Sequence, residues 1–183
     1  LVKIQVTSLP DAAHGILKLG GVAVVPDEEI TRADIPNLTF EPEADWYGDA
    51  SFSWKGSDGT AYSTTTSTVT IDVDAVNDVP TVTAFTQSDV EDSTVTFALT
   101  DFESKFDDAD TGDQLQKIQI TSLPDAAHGI LKLDGAGVAL NQEITFAEIP
   151  DLTFEPVADW YGDASFSWKG SDGTAYSAAS STV

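Results

Sequence analysis

The sequence has no cysteine and no methionine, only two histidines, and 8 lysines and arginines against 31 aspartates and glutamates in 183 residues. Without cysteine there is neither a disulfide framework nor a thiolate metal site. His14 and His128 stand 114 residues apart in identical Asp-Ala-Ala-His-Gly contexts, so they read as turn residues, with no second imidazole for zinc and no thiol nucleophile. The shortage of base leaves a formal net charge of −23, which makes nucleic acid a poor partner, since its phosphates require clustered lysine and arginine. No apolar run reaches the 18 or so residues a membrane-spanning helix needs. What is present is ample apolar content, 41%, enough for a packed core and against disorder. The acidic surface must repel itself unless cations screen it.

The chain repeats itself. Residues 3–69 align with 117–183 at an offset of 114 without a gap, and 52 of the 67 positions are identical. Two copies of one fold follow, divided as 1–76 and 77–183. Nothing in 1–76 corresponds to 77–114, so the first copy is expected to lack its first two strands, while the second is nearly complete. The opening at Leu1, inside a strand-like pattern, reads as a piece of a longer polypeptide.

Within a copy the patterning is β throughout. Residues 79–85 and 94–99 are short runs rich in Val, Thr and Phe. Residues 117–123 alternate, with Ile118 and Ile120 on the apolar face and Leu123 after them, and Pro124 ends the strand. Asp134-Gly135 between two apolar segments is a tight-hairpin signal. Residues 143–150 are the one place where a helical turn is expected. Residues 152–154 form a strand stopped by Pro156, residues 164–169 alternate with Phe166 and Trp168 on one face, and residues 68–73 supply the last strand of the first copy. About seven short strands per copy, with no sustained 3.6-residue period, predict an all-β fold of tandem sandwiches.

The most unusual stretch runs from Asp72 to Asp113. Between Asn77 and Asp113 there are ten acidic residues and one base, Lys105. Clusters this dense, with short Asp/Asn spacing and a glycine at 112, match what Ca²⁺ asks for in hard oxygen ligands and a turning backbone. The competing reading is a set of solvated turns, since Asp favours turns for its own hydrogen bonds.

Four motifs in order carry a family resemblance over the whole chain. Gly-Ser-Asp-Gly-Thr-Ala-Tyr-Ser at 56–63 and 170–177 resembles the cadherin Asp-Gly turn before the last strand. Val69 to Asp74, running into Ala75, Val76, Asn77, Asp78, Val79 and Pro80, is similar to the cadherin last strand and its linker. Asp108-Ala-Asp110-Thr-Gly112-Asp113 resembles the cadherin Asp-Ala-Asp cluster, and Val90-Glu91-Asp92 its Val-x-Glu-Asn. The wider text is similar to the bacterial cadherin-like (Ig-like) repeats that tile large RTX or biofilm-type adhesins. The Leu-Asp-Arg-Glu motif of animal cadherins is absent, which leaves the number of ions per joint open between one and two. The resemblance implies Greek-key sandwiches and a calcium joint at the start of the second copy. Its ligands would be Asn77, Asp78, Asp108, Asp110 and Asp172, with Asp113 and Asp74 as additions. It also implies that Glu91 and Asp92 serve the far end of their own copy and are at most partly liganded.

On that resemblance, the copies lie end to end. A ten-residue strand covers roughly 33 Å, whereas the linker 77–80 reaches at most about 14 Å, and Pro80 stiffens it. Residues 77–114 are therefore expected to enter a new sandwich rather than fold back on 1–76. Two functions remain open. One is a calcium-stiffened extender of a secreted, extracellular bacterial adhesin, whose partners are neighbouring repeats of the same chain. The other is a calcium-dependent module binding polysaccharide or a like domain on another cell, for which Trp160 is the exposed-aromatic candidate. Trp54 and Trp168 alternate with Phe two residues earlier and read as core. No Ser-His-Asp set, phosphate loop or paired-carboxylate spacing rises above the acidic background, so no enzyme is expected. Asn37-Leu-Thr39 forms a glycosylation triplet that the second copy lacks, having Asp151 there.

Overall fold

A computed structural model describes all of residues 1–183. It is an all-β, sandwich-type protein, mostly strand with three short helical turns. The chain forms two compact units, Leu1–Val76 and Asn77–Val183.

In the first unit the strands are β1 (Lys3–Ser8), β2 (Gly15–Leu19), β3 (Val22–Ala23), β4 (Glu29–Thr31), β5 (Leu38–Pro42), β6 (Gly48–Ser57) and β7 (Ser67–Val73). They make two antiparallel sheets, ordered β4-β1-β6-β7 and β3-β2-β5. Period-two alternation selects the core: Ile4 and Val6 from β1, Leu17 from β2, Ile30 from β4 and Phe52 from β6 are buried together. A bulge after Val6 shifts the β1–β6 register.

The second unit holds β8 (Thr81–Val82), β9 (Val95–Thr96), α1 (Leu99–Glu103), β10 (Phe106–Asp107), β11 (Lys117–Ser122), β12 (Gly129–Leu133), β13 (Ala136–Gly137), β14 (Glu143–Thr145), β15 (Leu152–Pro156), β16 (Ser167–Ser171) and β17 (Ser181–Thr182). One sheet runs β14-β11-β16-β17, the other β13-β12-β15-β9, and β8 pairs with β10. Ile118, Ile120, Phe166 and Trp168 from the first sheet meet Leu131, Leu152 and Phe154 from the second in one core. Residues 77–114 complete this unit. Val95 and Thr96 pair with Phe154 and Thr153, and Phe102 is fully buried against Trp168 with ring centroids 4.9 Å apart.

The β12–β13 hairpin turns on Asp134 and Gly135, both with positive φ (48° and 77°), the geometry a two-residue turn between twisted strands requires. Gly20 and Gly21 make the same turn in the first unit.

Several expectations are corrected. Regular strand within 79–85 and 94–99 is confined to β8 and β9, with single main-chain bonds from Thr83 to Lys105 and from Phe85 to Thr182 beyond β8. Leu99–Glu103 is a helix, where the sequence reading placed the end of a strand. Leu99 and Phe102 are three apart, which suits one helical turn, and the Asp101 carboxylate accepts the Ala98 N–H at 2.8 Å, closing the turn's open start. The helical turn expected within 143–150 is the 3₁₀ segment Phe146–Asp151, held by the Thr145 N–H donating to Glu148 at 2.8 Å, and residues 143–145 belong to β14. The strand expected at 164–169 is β16, Ser167–Ser171, extended by Phe166, which exchanges both main-chain hydrogen bonds with Val183 at 3.1 and 3.0 Å. In the first unit β7 pairs with β6 from Gly48 to Trp54. Leu123, which follows β11, is exposed.

Candidate metal centre

The acidic site of the second unit is built from three loops. The first is the start of the unit, Asn77 and Asp78, before β8. The second is the loop 108–113 between β10 and β11. The third is the turn after β16, where Asp172-Gly173 sits. Gly112 and Gly173, with φ of 99° and 104°, let the last two loops turn back on themselves.

Carboxylate oxygens of Asp108, Asp113 and Asp172 lie within 4.8 Å of one another. Asp108 and Asp172 are held by local bonds. Asp172 Oδ1 accepts the N–H groups of Thr174 and Ala175 at 2.5 and 2.7 Å, the self-bonding turn that an Asp-Gly-Thr sequence favours. Its Oδ2 accepts the Asn77 side-chain amide at 3.1 Å. Asp108 Oδ1 accepts the Asp110 N–H at 3.0 Å, while Asp108 Oδ2 is buried and has no hydrogen-bond partner. Asp110 Oδ2 turns to the Asp78 N–H at 2.7 Å, tying the start of the unit to the loop.

Electrostatics reflect the crowding. Burial, and then the charges of Asp108, Asp110 and Asp172, raise the Asp113 carboxyl above the ordinary aspartate range. For Asp172, burial pushes upward, but the Ala175 and Thr174 N–H groups and the Asn77 amide outweigh it and hold the pKa below the usual value.

Of the residues expected at a calcium joint, Asn77, Asp78, Asp108, Asp110, Asp113 and Asp172 gather here. Asp78 and Asp110 meet through a main-chain N–H, and the three-carboxylate group proper is Asp108, Asp113 and Asp172. Asp74 follows β7 in the first unit. Asp113, an addition in the sequence reading, is one of the three central carboxylates. Asp92 has a structural task elsewhere, since its Oδ1 accepts the Asp159 N–H at 2.9 Å. Glu91 lines a cavity of about 260 Å³ together with Trp160 and Tyr161. Trp160 stacks on His128 with centroids 4.7 Å apart, an aromatic pairing the sequence reading missed and that the duplicate pair His14 and Trp46, at 4.5 Å, repeats. Recurrence of one His and one Trp at fixed positions in both copies was the available signal.

The donor set suits a hard cation. The three central side chains are carboxylates, one buried oxygen lacks a partner, and none of the three is in an ion pair with lysine or arginine. Comparison with protein-family models, curated proteins and solved structures gives no match. No helix is long and apolar enough to cross a membrane.

Proposed function

We propose that the second unit binds calcium at Asp108, Asp113 and Asp172, and that the chain is a calcium-stiffened spacer repeat of a secreted bacterial surface adhesin. The observation that carries the reading is the buried, unpartnered Asp108 Oδ2 beside two further carboxylates. A buried polar oxygen without a partner is costly, and a dication there would satisfy it and relieve the repulsion that raises Asp113. The Asn77 amide would offer its oxygen to an ion after a flip from its present bond to Asp172. An ion at this place would fix the first residues of the unit to the loops at 108–113 and 172–175. The spacer role rests on the repeat: 52 identical positions of 67 add the same module again rather than a new chemistry. The adhesin assignment rests on the resemblance to bacterial cadherin-like repeats.

A second reading, a calcium-dependent polysaccharide- or cell-binding module, has one feature in its favour. Tyr161 is 83% exposed at the rim of the cavity that Trp160 and Glu91 line. Against it, the Trp160 ring already stacks on His128, which takes up a face a sugar would need.

Calorimetric titration of the metal-free chain with calcium tests the first reading. Binding should appear with Kd on the order of 10⁻⁴–10⁻³ M and should be lost in Asp108→Asn and Asp172→Asn. Absence of binding in the parent chain, or full binding in both variants, overturns it. Saturable retention on insoluble glycan, abolished by Tyr161→Ala, would favour the second reading.

A further inference from the structure

Aspartate followed by glycine occurs three times, at Asp58-Gly59, Asp134-Gly135 and Asp172-Gly173, and one of the three is held differently from the other two. The Asp58 carboxylate accepts the N–H groups of Thr60 and Ala61 at 2.8 and 3.0 Å, and that of Asp172 accepts those of Thr174 and Ala175 at 2.5 and 2.7 Å. In both turns the glycine N–H is engaged as well. Gly59 donates to the Ser57 hydroxyl and Gly173 to that of Ser171, each at 3.1 Å. Asp134 and Gly135 have neither restraint. The Asp134 side chain is exposed and makes no hydrogen bond, and the Gly135 N–H donates none. Nothing lies within 4 Å of where a Gly135 side chain would stand, so the space beside that nitrogen is open.

The same pair forms the tip of a short hairpin. β13 has two residues and lies at the edge of its sheet, with Ala136 opposite Leu133 and Gly137 opposite Lys132. Asp134 sits at a φ of 48°, a conformation that costs free energy for residues other than glycine. Its main chain is fixed only on the N-terminal side of its Cα, where the Asp134 N–H donates to the Asp151 carbonyl at 3.2 Å. Turning the peptide between Asp134 and Gly135 therefore breaks few bonds, and the tip opens locally at low cost.

We propose that Asp134-Gly135 is a site of spontaneous covalent modification, the conversion of aspartate to isoaspartate through a cyclic imide, and that their hydrogen bonds shield Asp58 and Asp172 from it. The Gly135 nitrogen bonds to Asp134 Cγ. The hydroxyl of the protonated carboxyl leaves as water, taking the proton of that nitrogen. Water then opens the five-membered ring at either carbonyl, which restores aspartate or routes the main chain through Cγ. The second product has one more main-chain atom and does not fit a two-residue turn with positive φ at both positions. Pairing of β13 is lost, and Val138, which is buried and donates to the Leu131 carbonyl at 2.9 Å, is loosened. The first unit is exempt at this place, because Gly20 and Gly21 make its turn without a carboxyl group.

The test ages the whole chain in warm, near-neutral buffer, with chelator present so that protection of Asp172 owes nothing to an ion. Fragmentation mass spectrometry, and a protease that cuts before aspartate but not before isoaspartate, locate the product. Isoaspartate should accumulate at 134, and about tenfold more slowly or less at 58 and 172, where hydrogen bonds to a charged group must break first. In denaturant the three sites should react at one common rate. Asp134→Gly copies the turn of the first unit, so it should keep the hairpin and abolish the product. Amide exchange at Val138 should quicken in the aged parent chain and not in the aged variant. No isoaspartate at 134, equal rates at the three sites in the folded chain, or faster reaction at 58 or 172 would overturn the proposal.

Discussion

At the scale of single residues, each unit carries the same three-part charge contact. Lys117 Nζ donates to Glu143 at 2.9 Å and lies 5.0 Å over the Tyr176 ring, and Lys3, Glu29 and Tyr62 repeat the arrangement. The bond from Lys117, and then Tyr176, holds Glu143 below the ordinary glutamate value of 4.5, and the bond to Glu143, and then Tyr176, raises Lys117 above 10.5. The contribution of Glu143 is therefore fully present above 4.5 and lost as pH falls through its depressed pKa. That of Lys117 is present below 10.5 and lost as pH rises through its raised pKa. Solvent and salt screen so exposed a contact, so its effect is small. Glu143→Gln should lower the melting temperature slightly at neutral pH and not at all well below the carboxylate range, and a difference that persists unchanged into acid would contradict this. Residue type was legible for the acidic site too, because aspartate spacing marks its loops. That Asp113 joins Asp108 and Asp172 while Asp110 turns to a backbone N–H was not legible, since it depends on how the loop 108–113 settles against the turn at Asp172.

At the scale of elements, β12 and β15 pack with no room for a side chain at Gly129. A Cβ on Gly129 would lie 2.4 Å from the Phe154 ring and 2.5 Å from the Glu155 carbonyl oxygen, and Gly15 meets Phe40 and Glu41 in the same way. Gly129→Ala must push the strands apart or turn the phenylalanine out of the core, a cost of about 1–3 kcal/mol. Denaturant unfolding of the variant measures it, and a change within about 0.5 kcal/mol, typical of a neutral surface substitution, would show that the contact yields freely. The strands themselves were largely readable, because Ile118 and Ile120, or Phe166 and Trp168, alternate as a half-buried strand must. Their bounds were less so: regular pairing of residues 79–85 and 94–99 is confined to β8 and β9. α1 escaped for a different reason. Val95, Phe97 and Leu99 continue a period of two up to the residue where the helix begins, and only Phe102 breaks it.

At the scale of the whole molecule, two nearly identical sequences have unequal cores. The second unit buries thirteen apolar residues in one cluster, among them Phe97, Phe102 and Leu115, while the first buries six in its main cluster. Burial of large side chains is the dominant favourable term in folding, so the first unit should unfold first. Calcium should widen the gap. Within residues 1–76 Asp58 stands in the place of Asp172, bonded to the N–H groups of Thr60 and Ala61, and the one group of three clustered carboxylates lies in the second unit. Only the second unit then gains from the ion, by about 2.7 kcal/mol at 100 times Kd. Calorimetric melting should show two transitions, with the lower one insensitive to calcium and the upper one raised by it. Residue-resolved amide exchange assigns them, with faster exchange across β1, β2 and β5 than across β11, β12 and β15. A single transition that moves as a whole with calcium, or slower exchange in the first unit, would mean that the two cores do not unfold independently in the order their burial dictates.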